Sequence, residues 1–462
     1  MDAKEIQQLR PMLNAYLRKF DDCFGRREPM EHLKHYVLGQ LSDLPRKSLE
    51  PIADAAGILP RTLQQFLAIH DWNHERVRDL LSQRVAQRPI SRRAVGIIDE
   101  TSHVKKGNKT AGVQRQWCGR LGKVENCVTT VHLGYADGDF HCLLDSDLFL
   151  PQPWSEDRSR CRGAGIPDNV IHRPKWQIAL ELRDRAVANG VNLEWLTFDE
   201  NYPMNPEFLF ALDDRGQHYA GEVKRTYTGW LTKPALLYKR HHCAAGPSGH
   251  FPRVKRKDDR PITFENMLTY STKLRKITWE KFHIKDTHKG PMVWEAKAVE
   301  VYLKRDGLPT RPHTLVITRN VENPQEIKYC LANAPSDTPL TTLLHVIFSR
   351  WHVERCFEDE KSELGLSDFE IRNYKGLRRH LIATSVTHLF LAEVQQAWRK
   401  KKSGINGLSG ADSQFRAGSF PLDLRAGPPE LFAEDGCHNH PDTRPQQKCP
   451  REPHEGQTEA VA

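Results

Sequence analysis

Arg350, Glu354, Phe357 and Lys361, in the stretch RWHVERCFEDEK, fall at i, i+4, i+7 and i+11. On a helix that turns about 100° per residue, these four share one stripe roughly 60° wide. A stripe containing Phe faces the protein, and Arg, Glu and Lys are seldom placed there without partners. The spacing therefore predicts an inward acid bracketed by two bases. Two more acids close apolar, strand-like runs: Asp99 ends AVGIID, and Asp199 ends VNLEWLTFD. Three converging carboxylates suit hard divalent cations, Mg²⁺ or Mn²⁺, whose remaining positions stay open to a phosphodiester. Two such ions, about 3.5–4 Å apart, can activate a water or a terminal hydroxyl and stabilise the oxygen that leaves. Arg350 and Lys361 would grip the phosphates on either side. Each Asp alone has a plainer role, capping the helix after it, and Asp199 before ENYPMNPEF fits that role best. The three acids together with their basic bracket favour metal. Glu200, Asp137, Glu358 and Asp359 lack the strand-end or stripe placement.

The elements that must carry these residues can be read from pattern changes. Residues from about 5 to 90 have helical periodicity. Within them IADAAGILPRTLQQFLAIHDW spaces Ala53, Gly57 and Leu63 as in a helix-turn-helix, with Gly57 at the turn and Pro60 opening the second helix. That helix would present Arg61, Thr62, Gln64 and Gln65, all able to contact phosphates or base edges; an ordinary helical hairpin with a polar face is the plainer reading. After AVGIID, the run ENCVTTVHLGYADGDFHCLLDSDLFL predicts two strands turning at Asp137-Gly138. A helix, KWQIALELRDRAVANG, stops at Gly190; the strand ending at Asp199 follows, then a helix closed by Gly216 and the strand HYAGEV. Strands with helical crossovers after the first three predict an α/β sheet, with chemistry at strand ends.

From about 224 to 310 the alternation stops, and short β-like runs with Trp230, Trp279 and Trp294 predict an insertion. Its basic run Arg253–Arg260 reads as a solvated face or a DNA contact. Lys105, Lys106 and Lys109 follow Asp99 directly, in either an exposed turn or a phosphate-contacting loop. Past about 400 the chain is rich in Gly, Pro and His, and a disordered tail is expected.

Composition agrees with a soluble chain of several domains: 462 residues, 38% hydrophobic and 27% charged. No apolar run of 18 residues predicts a membrane span. MDAKEIQQLR lacks the apolar core of a signal peptide, so a cytoplasmic protein is expected. A net charge of +9 leans toward a polyanionic partner. The ten cysteines show no Cys-x2-Cys spacing, which argues against a zinc ribbon or a disulfide framework. His241, His242, Cys243 and His250 form the densest set of possible ligands, with a polar loop the expected reading.

These motifs, in this order, resemble the DDE-type transposases of bacterial insertion sequences. One branch of that family carries its last acid in a Tyr-x2-Arg-x3-Glu-x6-Lys signature and inserts a β-rich domain before the final helix. Arg350, Glu354 and Lys361 match that signature, with Ile347 at the Tyr position. GIIDETSHVKKG matches around the first acid and LTFDENYPMNPEFLFAL around the second. RQWCGRLGKVENC, KSELGLSDFEIRNYKGLRRHL and LSDLPRKSLEPIADAAG are also similar to one subgroup. The similarity covers roughly residues 30–395.

The resemblance implies a ribonuclease H-like mixed α/β sheet with helices on both faces, a β-rich insertion and an N-terminal helical domain. The expected organisation is a helical DNA-binding domain over 1–90, the first part of the core over 91–223, the insertion over 224–310, the rest of the core over 311–398 and the tail over 399–462. It implies Asp99, Asp199 and Glu354 as catalytic metal ligands for two Mg²⁺ or Mn²⁺ ions. Arg350, Lys361, Lys105, Lys106, Arg61 and Gln64 become the expected DNA contacts. The partner is double-stranded DNA, both element ends and target, joined by a homodimer in the synaptic complex, with no membrane. The other readings are a domesticated or inactive DNA-binding derivative and a general ribonuclease H-like nuclease.

Overall fold

Apolar residues at helical spacing bring the first helices together: α1 (Ala3–Leu17), α2 (Arg27–Leu41), α3 (Leu49–Ala56), α4 (Pro60–Ala68) and α5 (His74–Ala86). The structure, a computed structural model, describes residues 3–238, 252–287 and 290–405. The α3–α4 turn forms as its sequence predicts. Gly57 takes the left-handed conformation (φ 69°) that ends α3, and Pro60 occupies the first turn of α4.

Next come β1 (Val95–Val104), β2 (Gln114–Cys118), β3 (Lys123–Asp137) and β4 (Phe140–Leu148). They are followed by the short helices α6 (Gln152–Glu156) and α7 (Arg158–Gly163), then α8 (Lys175–Ala188), β5 (Trp195–Phe198), α9 (Glu207–Asp214) and β6 (Ala220–Val223). Two-residue strands β7 (Thr228–Gly229), β8 (Leu236–Leu237), β9 (Arg253–Val254) and β10 (Ile262–Thr263) lead to α10 (Phe264–Tyr270) and α11 (Thr272–Lys276). Long strands β11 (Glu280–Thr287), β12 (Gly290–Arg305) and β13 (Leu308–Asn320) precede β14 (Ile327–Ala332). The described chain closes with α12 (Leu340–Phe348), α13 (Trp351–Ser362) and α14 (Tyr374–Ile405).

The sheet is mixed. β3 lies antiparallel to β1 on one side and to β4 and β2 on the other, while β5 runs parallel to β1. A single parallel bridge, Leu196 to Tyr219, carries the order from β5 toward β6. Beyond β6 come β14, β13, β12 and β11, all antiparallel. The expected insertion is thus wired into the sheet. Its expected end at 310 falls inside β13, because Thr314–Arg319 continue that strand against β14. The expected boundary at 398 likewise falls inside α14.

Successive strand residues face opposite sides, and the cores divide accordingly. Val95, Ile97 and Trp195 join α12 and α13 in one apolar cluster, whereas Ile98, Leu196 and Phe198 join α8, α14 and the N-terminal helices in another. Gly221 is one point where only glycine fits, since a Cβ there would collide with the Phe198 ring. That close approach seats the residue immediately before Asp199.

α14 ties the N-terminal helices to the rest. The Tyr16 hydroxyl donates to the Val386 carbonyl (2.8 Å), and the Tyr36 hydroxyl meets His380 Nδ1 at 2.7 Å. The Gln40 amide is satisfied by Thr384 and Thr387 at 2.9 and 2.7 Å. Arg379 is fully buried, and its guanidinium donates to the carbonyls of Phe66, Leu67, His70 and Trp72. The His241, His242, Cys243 and His250 set lies outside the described residues, as does the tail past 405. Among the described residues no helix is long and apolar enough to cross a membrane.

Candidate active site

The β1–β5 register decides where two of the acids go. Ile98 pairs with Phe198, so Asp99 and Asp199 follow on adjacent strands at the same level. Asp99 is two residues beyond Ile97, and Asp199 is four beyond Trp195. Parity therefore turns both toward the face covered by α12 and α13. Asp199 does close its strand. Asp99 does not: β1 continues to Val104 because Glu100–Val104 remain paired with β3. It is the neighbour β5 that ends there, while the Asp99 side chain stays largely buried beside Arg350.

The third acid arrives on α13. Arg350 stands at the N-terminal cap of that helix and Glu354 in its first turn. Arg350 donates to Asp99 Oδ2 at 3.2 Å and reaches Glu354 Oε1 at 2.7 Å, so one guanidinium links the two carboxylates. The stripe is real but tilted. Phe357 is buried and meets the His132 ring edge-on at 5.0 Å, whereas the Glu354 side chain is 56% exposed. Glu354 is thus at the open rim and not inward as its spacing predicts, because the buried face of α13 runs through Val353, Cys356, Phe357 and Glu360 and leaves Glu354 at its edge. The Lys361 ammonium lies 5.6 Å from the centre of the Phe357 ring. Burial and the neighbouring charge of Arg120 push its pKa below the usual lysine value. Ile347, at the signature's Tyr position, is buried in the core.

Burial pushes the Asp99 carboxyl up to about 7; Arg350 opposes this, and the charges of Asp199 and Glu100 reinforce it. Asp199 does not cap the helix after it, whose first turn follows Pro206; its carboxylate instead closes a local turn, accepting from the Asn201 backbone N–H at 3.0 Å and side-chain amide at 2.9 Å. Tyr202, just after this turn, is buried, and its hydroxyl lies in the field of Glu100, Asp99 and Asp199. Sequence reasoning passed over it, although its position three residues after Asp199 was the available signal.

Among the described residues, no group of three or more His, Cys, Asp or Glu side chains stands within reach of one metal ion. The physical reason is Arg350, which fills the space between Asp99 and Glu354. The donor set still suits a hard divalent cation, because Glu354, Asp99 and Asp199 all act on the single Arg350 guanidinium, and the repulsion between Asp99 and Asp199 favours added positive charge.

The Asp99 shift has a sign that can be measured. A carboxyl raised from about 4 unfolded to about 7 folded adds stability that is complete below pH 4. That stability is lost as pH rises through 7. Asp99→Asn should therefore outlast wild type in urea at pH 8 without divalent ions, by on the order of 3 kcal/mol. The difference should vanish near pH 4. Equal midpoints at both pH values would show that Asp99 is not held in this way.

The other expected contacts scatter. Lys105 turns inward, donating to the Phe369 carbonyl at 2.6 Å and lying 3.3 Å over its ring. Burial lowers its pKa to about 8. It ties the loop after β1 to the segment before α14, which corrects its expected role at phosphate. Lys106 and Lys109 are exposed in that loop, and Arg61 and Gln64 are exposed on α4. Trp230 and Trp294 are buried. Trp279 lies between Lys297 and Arg319, each 4.3 Å from its ring.

Comparison with known proteins adds two findings. A family model described as DDE superfamily endonuclease matches residues 19–291. The chain is also similar to a probable transposase for insertion sequence element IS701 of Microchaete diplosiphon. The two are 24% identical over 371 residues, which span 78% of this chain and 82% of the relative.

Proposed function

We propose, because the chain belongs to the DDE superfamily endonucleases, that it is the transposase of a bacterial insertion sequence. In this reading it binds the terminal inverted repeats of its element, cuts at the ends and joins the freed 3′-hydroxyls to target DNA. The observation that carries the reading is the placement of Asp99 and Asp199 side by side on adjacent strands, with Arg350 joining Asp99 to Glu354. The strand order β4-β3-β1-β5-β6 supports a ribonuclease H-like core.

Asp99 and Asp199 would hold divalent ions, Mg²⁺ or Mn²⁺, with Glu354 completing a second site. When bound, two such ions supply an activated water or 3′-hydroxyl and stabilise the departing oxygen. The rest falls to the chain's own groups. Arg350, freed from its two carboxylates, takes a phosphate of the substrate strand bidentately. Lys361, two turns along α13, holds the next phosphate as a point charge. Tyr202 fills the space under the acids and excludes water there. Arg61 and Gln64, exposed on α4, would read the terminal repeat from the helix-turn-helix. Joining two ends calls for a dimer.

A labelled duplex carrying the element's ends, incubated with Mg²⁺ or Mn²⁺, tests the reading. Nicking at the ends that stops with chelator and with Asp99→Ala is expected. Binding of the ends with no metal-dependent nicking under any condition would replace the reading with that of an inactive DNA-binding derivative.

A further inference from the structure

A cavity of about 800 Å³ lies where α2, the link from α4 to α5, and α14 meet. Small-molecule sites have volumes of roughly 300–1,000 Å³. Much of the wall comes from the first residues of three helices. Arg26, Glu28 and Pro29 stand at the start of α2, Asn73 and His74 at the start of α5, and Lys375 in the first turn of α14. Helix N-termini carry partial positive charge and N–H groups with no partner inside the helix. α2 opens at Arg26 with no side-chain cap, so no side chain takes up its first donors there.

Side chains add to this field. Arg26, Lys375 and Arg379 all line the cavity. Arg379 is fully buried. Its two terminal nitrogens donate to carbonyls, but its Nε–H has no acceptor among the described residues. The acids of the wall are mostly engaged elsewhere: Glu75 accepts from Arg378 at 3.1 Å, and Glu28 lies 3.6 Å from His32. That leaves exposed Asp71 against three cations. The imbalance acts on its neighbours. Burial, with the charges of Arg378 and Arg379, holds the His74 pKa down to about 4. Burial and Arg379 likewise lower that of Lys375.

We propose that this cavity binds a phosphorylated small molecule of nucleotide size, its phosphates held by Arg26, Lys375 and Arg379 at the opening of α2. Helix N-termini backed by Arg suit phosphate groups. Asp71 accepts from hydroxyl or amino groups on the body of the ligand. The cavity spans the elements through which the N-terminal helices dock on α14, so an occupant braces that joint and stabilises the chain. The inference goes beyond the transposase reading and does not depend on it, since no residue of the wall belongs to the acid cluster at Asp99.

The test is calorimetric titration of the full chain with ATP and with inorganic triphosphate, at fixed ionic strength and without divalent ions. Both should bind saturably, ATP the tighter, and ATP should raise the melting temperature. Lys375→Gln and Arg26→Gln should each weaken ATP binding about ten- to a hundredfold, the range for one lost charge-assisted hydrogen bond. Asp71→Asn should tighten it. Lys109→Gln, which removes an exposed cation in the loop after β1, should bind as wild type does. Arg26 is exposed and Lys375 partly so, and melts without ligand check that the variants fold. Absence of saturable binding overturns the proposal. Binding that Lys375→Gln and Arg26→Gln leave unchanged also overturns it, placing the anion elsewhere on the basic surface. Triphosphate as tight as ATP overturns the nucleotide size. A random-sequence duplex that displaces ATP, and that binds Lys375→Gln more weakly than wild type, overturns the small ligand and gives the cavity to the DNA backbone.

Discussion

Glu354→Gln is expected to remove metal-dependent nicking of element-end DNA by about a thousandfold or more, while leaving the fold and DNA binding in place. The side chain is exposed at the rim, so an isosteric amide disturbs no core. It can still accept from Arg350 through one oxygen, and α13 keeps its position. What it loses is the negative charge. A divalent ion contributes several kcal/mol of stabilisation to developing charge, and a few kcal/mol is a thousandfold in rate. Binding to a polyanion should hold or tighten slightly, because one negative charge is gone from the cleft. Glu358→Gln is the control: it lies one turn later on the same helix, exposed and paired with Arg355 at 3.0 Å. That variant should nick as wild type does. Equal loss in both variants would make the effect one of α13 stability, and full activity in Glu354→Gln would remove Glu354 from the chemistry.

Arg379→Ala carries the largest expected effect on stability. The guanidinium is buried on α14, 4.5 Å from the Trp72 ring, with burial lowering its pKa to about 10. Its four carbonyl partners are Phe66 and Leu67 in the last turn of α4 and His70 and Trp72 in the link to α5. After truncation the Phe66 and Trp72 carbonyls keep the Trp72 indole N–H and the His74 N–H, while those of Leu67 and His70 lose this partner, at about 1–3 kcal/mol for each one that water cannot reach. Part of the cleft rehydrates, so the expected loss is about 3–5 kcal/mol, read as a lower urea midpoint. Arg379→Lys should recover little, because an ammonium lacks the planar fork that reaches four acceptors at once. A Lys variant as stable as wild type would mean that charge and not geometry holds the link.

How much of this was legible in the sequence depended on the range of the interaction. The α3–α4 turn, the Asp137-Gly138 turn and the strand ending at Asp199 are local, and turn residues and periodicity sufficed for them. The strand carrying Asp99 forms as expected but was cut short, because Glu100, Thr101, Ser102 and His103 look unlike a strand until β3 covers them. The helix carrying Glu354 forms as expected, but the burial of Glu354 was misjudged, since the buried face centres on Val353, Cys356, Phe357 and Glu360 and not on the stripe of Arg350, Glu354, Phe357 and Lys361. Lys105 looked like any lysine in a basic loop. Its partners, the carbonyls of Ser367 and Phe369, lie 262 and 264 residues away. The separation of residues 1–90 as a unit of their own took no account of α14 for the same reason. Arg379, Gln40 and Tyr36 carry no local sign of their partners.

That long-range lock has a consequence for synthesis. Tyr36 and His380 are 344 residues apart. At about 5–20 residues per second, a ribosome makes the second roughly 20–70 s after the first. Until then the leading helices lack the surface that closes their core, and an emerging chain cannot complete them. The finished fold therefore belongs only to a polypeptide whose strands β1 to β14 have already been translated. A message broken before α14 leaves Tyr16, Tyr36 and Gln40 without the partners that hold the leading helices in the finished fold.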